Sequence, residues 1–320
     1  MTSLSTIAAA KLNLTLEVLG KRVDGFHDLS SVAISLDLAD DVRLTPDDVR
    51  LTPGGDRRTI AYQDPDGRPF SIQTNDDIIA RVWSALEAHC DLQMNGRVDV
   101  VKRIPITSGL GGGSTNAAAF LRLANEAWTL GLSDDDLCRI GSQVGSDVAA
   151  CVIGGPVMMA GRGERVESIE APSASLSGWA VLLYRPEIPV PEDKTATMYR
   201  SLRSSDFRDG AYSSALEERL LAGRSPTQDD CINSFDASAR EVMQGLTPAW
   251  RRMGAAIARA AVDTDAQPVT PLLAGAGPTM FAILAPETAH AAATELQGAP
   301  GLTRVVLPIA RAEATIVCID

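Results

Sequence analysis

Hydrophobic and polar positions repeat with two different periods along this chain. From Leu12 to Val18 every second residue is apolar, as in a strand with one buried face, and a β-branched run follows near Ser31–Leu38. Residues from about Asp47 to Phe70 are polar, with turns at Pro53-Gly54-Gly55 and Asp64-Pro65-Asp66-Gly67, and read as short edge strands joined by surface loops. Asn75 can cap a helix whose Ile78, Ile79, Val82 and Leu86 form one face. The stretch Val98–Ile104 is a strand stopped by Pro105. The period then changes, because Ala117, Phe120, Leu121, Ala124 and Trp128 share the face of a helix. Ser114, Thr115 and Asn116 are N-cap residue types, and Gly131 suits a left-handed C-terminal cap.

Further on, Ser133 can cap a helix over Asp134–Gly141, and Val157–Ala160 is strand-like. The Ser/Pro-rich stretch Ala171–Gly178 suggests a boundary between two domains, 1–172 and 173–320. The second half opens with a strand at Trp179–Tyr184 and a proline-broken loop from Pro186 to Pro191. A helix at about Trp250–Val262 precedes a strand at Met280–Leu284, a helix at Glu287–Leu296, and strands at Arg304–Ile309 and Thr315–Ile319. That order of elements predicts an α+β fold with an antiparallel sheet.

At 320 residues the chain can build two cores. Its formal charge of −12 leaves no broad basic face for a nucleic-acid backbone, so an anionic ligand must be held by a few local groups. Five isolated cysteines with no C-x-x-C fit thiols in a reducing compartment. No secretory signal or bilayer-spanning run is visible, which points to the cytoplasm.

Candidate chemistry concentrates in Ser108-Gly109-Leu110-Gly111-Gly112-Gly113-Ser114-Thr115-Asn116, between a strand and a helix. Glycines let main-chain N–H groups turn toward a ligand, and a helix N-terminus adds unpaired donors and partial positive charge; together they suit a phosphate. A dinucleotide fingerprint would need glycine where Ser114 stands, and a Walker A loop would need a lysine between Gly113 and Ser114. A tight turn without a ligand is the other reading. In the same way Lys11 could be a solvated strand lysine, His27 an ordinary loop histidine, and Asp147 the N-cap of the apolar helix after Gly145-Ser146.

The loop with Pro105 before it resembles the phosphate-binding motif of the GHMP kinases, Pro-x-x-x-Gly-Leu-Gly followed by small residues. The opening Ala10-Lys11-Leu12-Asn13-Leu14, with Gly20-Lys21-Arg22-Val23-Asp24-Gly25-Phe26-His27, resembles one branch of that family, the diphosphocytidyl-methylerythritol kinases. Ala9 stands where the branch has proline, and Phe26 where it has tyrosine. Gly145-Ser146-Asp147-Val148 resembles the segment carrying the family's catalytic aspartate, and Leu273–Thr279 its third motif, with Ala274 and Ala276 in place of serines.

The resemblance implies a ribosomal-S5-like N-terminal domain, a ferredoxin-like C-terminal domain, and a cleft between them. It implies ATP-dependent phosphorylation of the 2-hydroxyl of a cytidine-diphosphate-linked methylerythritol, in non-mevalonate isoprenoid synthesis, by a monomer or homodimer. Asp147 would be the base and Lys11 its electrostatic partner. Pro105, Gly109, Leu110, Gly111, Gly112, Gly113, Ser114 and Thr115 would bind ATP, with Mg²⁺ held by an unidentified ligand such as Ser114 or Thr115. Asn13, Phe26, His27, Thr195, Tyr199, Gly275 and Gly277 would serve the substrate, with Phe26 and Tyr199 sandwiching the cytosine and His27 reading its edge. Asn233 would be structural. A GHMP kinase for another alcohol, such as mevalonate or homoserine, and a non-catalytic binding protein on the same scaffold are the alternatives.

Overall fold

In the computed structural model, which describes residues 2–50, 58–72, 77–261, 269–310 and 316–319, one long bent strand organises the N-terminal half. Strand β1 (Ser3–Asn13) leads into β2 (Thr15–Lys21), and the spine is β3 (His27–Arg50). The first part of β3 pairs with β2, and its later part pairs with β1. The expected edge strands are β4 (Arg58–Gln63) and β5 (Pro69–Phe70). The proposed turn at Pro53-Gly54-Gly55 lies outside the described residues. So does Asn75; the N-cap of α1 (Ile78–Cys90) is Asp77, whose carboxylate accepts from the N–H groups of Ile79 and Ala80.

Strand β6 (Gln93–Val101) lies between β3 and β4 and ends at the glycine loop. Helix α2 (Gly112–Ala127) starts earlier than the capping residues suggest. Its N-cap is Gly111 in left-handed conformation, because the loop turns too tightly there for a residue with a Cβ. Trp128 is the C-cap, and Gly131 adopts its left-handed turn just beyond. Helices α3 (Asp134–Ser142) and α4 (Val148–Ile153) follow, the first with a capping box between Ser133 and Asp136. Strands β7 (Val157–Gly161) and β8 (Arg165–Ser168) close this half, β7 pairing with β3. Trp83 stacks on Phe120 at 4.7 Å in the core that α1 and α2 make beneath the sheet.

The second sheet is antiparallel and is built on β9 (Ala180–Pro186). Next come α5 (Lys194–Ser201), α6 (Ala211–Leu221), β10 (Ile232–Asn233), α7 (Asp236–Val242) and α8 (Leu246–Ala260). The last of these begins four residues before Trp250, at a left-handed Gly245. Strand β11 (Leu272–Leu273), β12 (Met280–Leu284), α9 (Pro286–Glu295) and β13 (Gly301–Val306) complete the four-stranded order β11-β12-β9-β13. The run Ala180–Tyr184 is wholly buried because this sheet is covered on both faces. Ala180, Leu182 and Tyr184 join the core with Met253 and Ile257 of α8, while Val181 and Leu183 pack with Leu12, Ile34 and Leu36 of the first half.

The last two strands leave that sheet. Strand β14 (Pro308–Ile309) pairs with β3, and β15 (Val317–Ile319) pairs with β1, so the chain end returns to the N-terminal half. Sequence pattern assigns strand character there but cannot choose the sheet. The two halves are thus joined by shared strands and by a shared apolar layer.

Candidate active site

A cleft of about 640 Å³ runs between the halves, and the glycine loop forms one side of it. Two apolar anchors, Ile104 and Leu110, are buried at either end of the loop. Beneath its start lies Asp40, fully buried, whose carboxylate accepts from the N–H groups of Arg103 (2.7 Å) and Ile104 (2.8 Å). Its other oxygen accepts from Asn116 Nδ2 at 2.9 Å and from the Lys102 ammonium. Lys102 also donates to Asn116 Oδ1 at 2.9 Å, so strand, loop and helix start share one hydrogen-bonded knot. A buried carboxylate needs such partners.

The far side of the loop is held by backbone approach. A Cβ on Gly109 would fall 2.0 Å from the carbonyl oxygen of Ala274, and one on Gly275 would fall 2.8 Å from the carbonyl oxygen of Gly109. Gly109 and Gly275 therefore meet through main chain alone, and replacing two serines by Ala274 and Ala276 leaves that contact intact. Asn233 secures the second loop, donating to the carbonyls of Leu273 (2.7 Å) and Gly275 (2.8 Å) and accepting from Phe235 N–H (2.9 Å).

Lys11 joins the loop to the opposite wall. Its N–H donates to the Leu110 carbonyl at 2.9 Å. Its buried ammonium lies 2.9 Å from an Asp147 carboxylate oxygen and donates to Asn13 Oδ1 at 2.8 Å. Asn13 is oriented in turn by Ser31, whose hydroxyl accepts from Nδ2 at 2.7 Å. Asp147 stands at the N-cap position of α4, yet its side chain caps no N–H. The carboxylate turns to Lys11 instead and stays 39% exposed in the cleft, beside the helix start at Gly112–Ser114. An ionised carboxylate, a lysine ammonium and a row of main-chain donors so arranged can deprotonate a hydroxyl facing a bound phosphate.

Thr195 and Tyr199 of α5 line the same cleft with Phe235 and Arg162. Tyr199 stacks on His27 with ring centroids 5.0 Å apart and meets Phe235 edge-on at 5.0 Å. Burial, then the charge of Asp147, push the Tyr199 phenol up to about 12. Burial, with Lys21 nearby, pushes the His27 imidazole below its ordinary value, so it is neutral at pH 7. Phe26 is 54% exposed, with the Arg162 guanidinium 4.9 Å from its centroid, and neither Phe26 nor His27 lines the cleft.

Two of the residues expected at ATP also play other parts. The Leu110 side chain is core, and the Thr115 hydroxyl donates to the Ala9 carbonyl at 2.7 Å. Gly277 lies behind the cleft against Leu273, where a Cβ would fall 2.7 Å from Leu273 Cδ1. Pro105, Gly109 and Gly111 to Ser114 do line it. The sequence pattern does not single out Lys102, Asp40, Arg162, Lys194 or Phe235, and it marks Asn116 as an N-cap residue type, not as a partner of Asp40 and Lys102. Two cations, Lys102 and Arg103, stand just before the proline that opens the loop, and the local pattern does not say which of them turns inward. Among the described residues no cluster of three His, Cys, Asp or Glu side chains could hold a metal, and no helix is long and apolar enough to cross a membrane.

Residues 77–155 match the family described as GHMP kinases N terminal domain. The chain is 34% identical over 282 residues to the 4-diphosphocytidyl-2-C-methyl-D-erythritol kinase of Dehalococcoides mccartyi, covering 88% of this chain and 89% of the relative. It is 32% identical over 290 residues to the protein of that name from Bacillus cereus, covering 87% and 86%. In fold it is similar to a crystal structure of 4-(cytidine 5'-diphospho)-2C-methyl-D-erythritol kinase, with a TM-score of 0.68 at 24% identity over 95% of this chain and 99% of that one. The homoserine kinase of Cytophaga hutchinsonii is similar in fold too, with a TM-score of 0.65 at 15% identity over 99% and 97%.

Proposed function

The chain belongs to the 4-diphosphocytidyl-2-C-methyl-D-erythritol kinases of the GHMP kinase family, and from that premise we propose how its cleft carries out the phosphoryl transfer. The reaction is phosphorylation of 4-diphosphocytidyl-2-C-methyl-D-erythritol with ATP as donor, a step of non-mevalonate isoprenoid precursor synthesis. The triphosphate lies against the N–H groups at the start of α2, where Gly111 to Gly113 leave the main chain uncovered. Ile72 and Ile78, the latter beside Gly113, offer an apolar wall for the adenine. The acceptor alcohol lies between the γ-phosphate and Asp147.

Asp147 takes the proton of the 2-hydroxyl as its oxygen attacks phosphorus, and Lys11 holds the carboxylate in place and offsets charge on the transferring group. Asn13 keeps Lys11 aimed. The cytosine is recognised at the α5 side, where Tyr199 offers a ring face to the cleft and His27 backs that ring from outside it. Thr195 is exposed on the same side. The single observation that carries this reading is the contact between Lys11 and Asp147 beside the glycine loop.

Mg²⁺ takes oxygen ligands, commonly one or two protein groups with substrate phosphates, and neutralises phosphate charge when bound. The residues present fit it. The Ser114 hydroxyl and the partly exposed Asp147 carboxylate face the cleft, whereas the Thr115 hydroxyl is engaged by Ala9. The five cysteines are free thiols, as the cytoplasm would leave them. A coupled ADP-release assay over cytidylyl and plain alcohol acceptors tests the assignment. Turnover is expected only with the cytidine-diphosphate-linked alcohol, and equal turnover of mevalonate or homoserine would refute it.

A further inference from the structure

Four cationic side chains line the cleft: Lys11, Lys102, Arg162 and Lys194. Three of them have carboxylate partners, namely Asp147, Asp40 and, at 3.9 Å, Glu164. Among the described residues no carboxylate pairs with Lys194. Its Nζ donates to the Thr107 carbonyl at 2.8 Å and to the Gly277 carbonyl, bridging the entry of the glycine loop to the loop that packs on it. Carbonyls offer dipoles and no net charge, so the ammonium is not neutralised. The charge that acts on it is a like one, Arg185, which donates to the Ile106 carbonyl at 3.4 Å and whose buried Nε has no partner among the described residues. Burial, then Arg185, push Lys194 down to about 8. An ammonium has three protons, and two are engaged here, which leaves one for a ligand.

Lys194 begins α5, and Tyr199 is five residues further along the same helix. That separation is about 7.5 Å along the helix axis, comparable to the reach from a base across its ribose to its diphosphate. The triphosphate end of the cleft has its own donors in the start of α2, with Lys102 beside Gly112. Resting on the function proposed above, we infer that Lys194 is a specificity-determining residue that binds the diphosphate of the cytidylyl substrate. Among the described residues that line the cleft, it is the one cation without a carboxylate partner, and it lies on the helix that also carries Thr195 and Tyr199. No hydroxyl at positions 274 or 276 competes for that role.

The test is equilibrium binding of CDP, cytidine and ATP to the intact wild-type chain and to Lys194→Met and Lys194→Arg, with thermal melting of each to check folding. Lys194→Met should weaken CDP about 10- to 100-fold, as loss of a charge-assisted hydrogen bond would. Cytidine and ATP should bind as to the wild type, and Lys194→Arg should recover most of the CDP affinity. Equal losses for CDP and cytidine would reduce Lys194 to a tie between two loops, and loss for ATP alone would assign it to the triphosphate; either result overturns the inference. Should Lys194→Met fail to fold, Lys194→Gln, which keeps a donor for the carbonyls, carries the same comparison. A wild-type chain that bound neither CDP nor cytidine would overturn the substrate reading itself.

Discussion

The Lys11 ammonium sits 2.9 Å from the Asp147 carboxylate, although one comes from the first strand and the other from the start of a helix that its side chain does not cap. Helix capping would have been the local use of that aspartate, so its turn toward Lys11 marks a role in the cleft. Asp147→Asn keeps the shape and removes the base. It should lower kcat by about 10²- to 10⁴-fold while Kd for ATP and for substrate stay close to wild type. Normal turnover in this variant, measured by ADP release, would remove the assignment.

Gly109 and Gly113 differ sharply in what surrounds them. Gly109 has φ +90° and no room for a Cβ against Ala274, whereas a Cβ on Gly113 meets only Ile78 Cγ2, at 3.3 Å. Gly109→Ala should therefore cost roughly 2 kcal/mol or more of stability, from strain and a main-chain clash. Gly113→Ala should fold normally and weaken ATP by crowding the phosphate donors. Urea unfolding curves beside ATP titrations separate the two, and equal unfolding midpoints for both variants would contradict the contact.

The stack of Tyr199 on His27 at 5.0 Å leaves no space for a base between those rings, so the cytosine must lie on the open face of Tyr199 or part the pair. Tyr199→Ala should weaken cytidine by about 1–3 kcal/mol and leave ATP unchanged, while Tyr199→Phe should bind cytidine as the wild type does. Phe26→Ala is the companion measurement. Equal losses for ATP and cytidine in that variant would mean the Phe26 ring supports the fold.

Asp40 is the fully buried acceptor for Lys102, Asn116 and two main-chain N–H groups. Asp40→Ala strands a buried ammonium, and should cost about 3–5 kcal/mol. Chemical denaturation measures it; a loss under about 1 kcal/mol would show that water replaces the carboxylate with ease.

Lys194 gives the cleft a pH dependence. With its ordinary value lowered to about 8, it is charged below that pH and neutral above it, so its attraction for an anion is present at pH 7 and lost as pH rises through about 8. Arg185 and the carbonyls of Thr107 and Gly277 are the groups that face it. His27 is already neutral there, and Tyr199 titrates far above. Accordingly kcat/KM for the cytidylyl substrate should fall above about pH 8, and Lys194→Arg should flatten that limb. A limb unchanged in the arginine variant would assign it to another group.

What could be read along the chain is what depends on near neighbours. Local pattern located the strand at β12, the Ser133 cap of α3 and the face of α2, because an apolar run, a capping side chain and a helical spacing are each written into consecutive residues. The four glycines between strand and helix were legible for the same reason, since a positive φ or a close approach is a property of one position. What depends on distant partners was not legible. Lys102 and Asp40 are 62 residues apart, and no spacing rule joins them. Only the folded chain decides that Asp147 turns to Lys11, that Tyr199 meets His27 and not Phe26, that β14 and β15 return to the first sheet, and that Lys194 alone among the cations of the cleft has no carboxylate among the described residues. Charge neutralisation and ring contact act across space, and the sheet pairings that set those distances are made after the local pattern has been spent on burial.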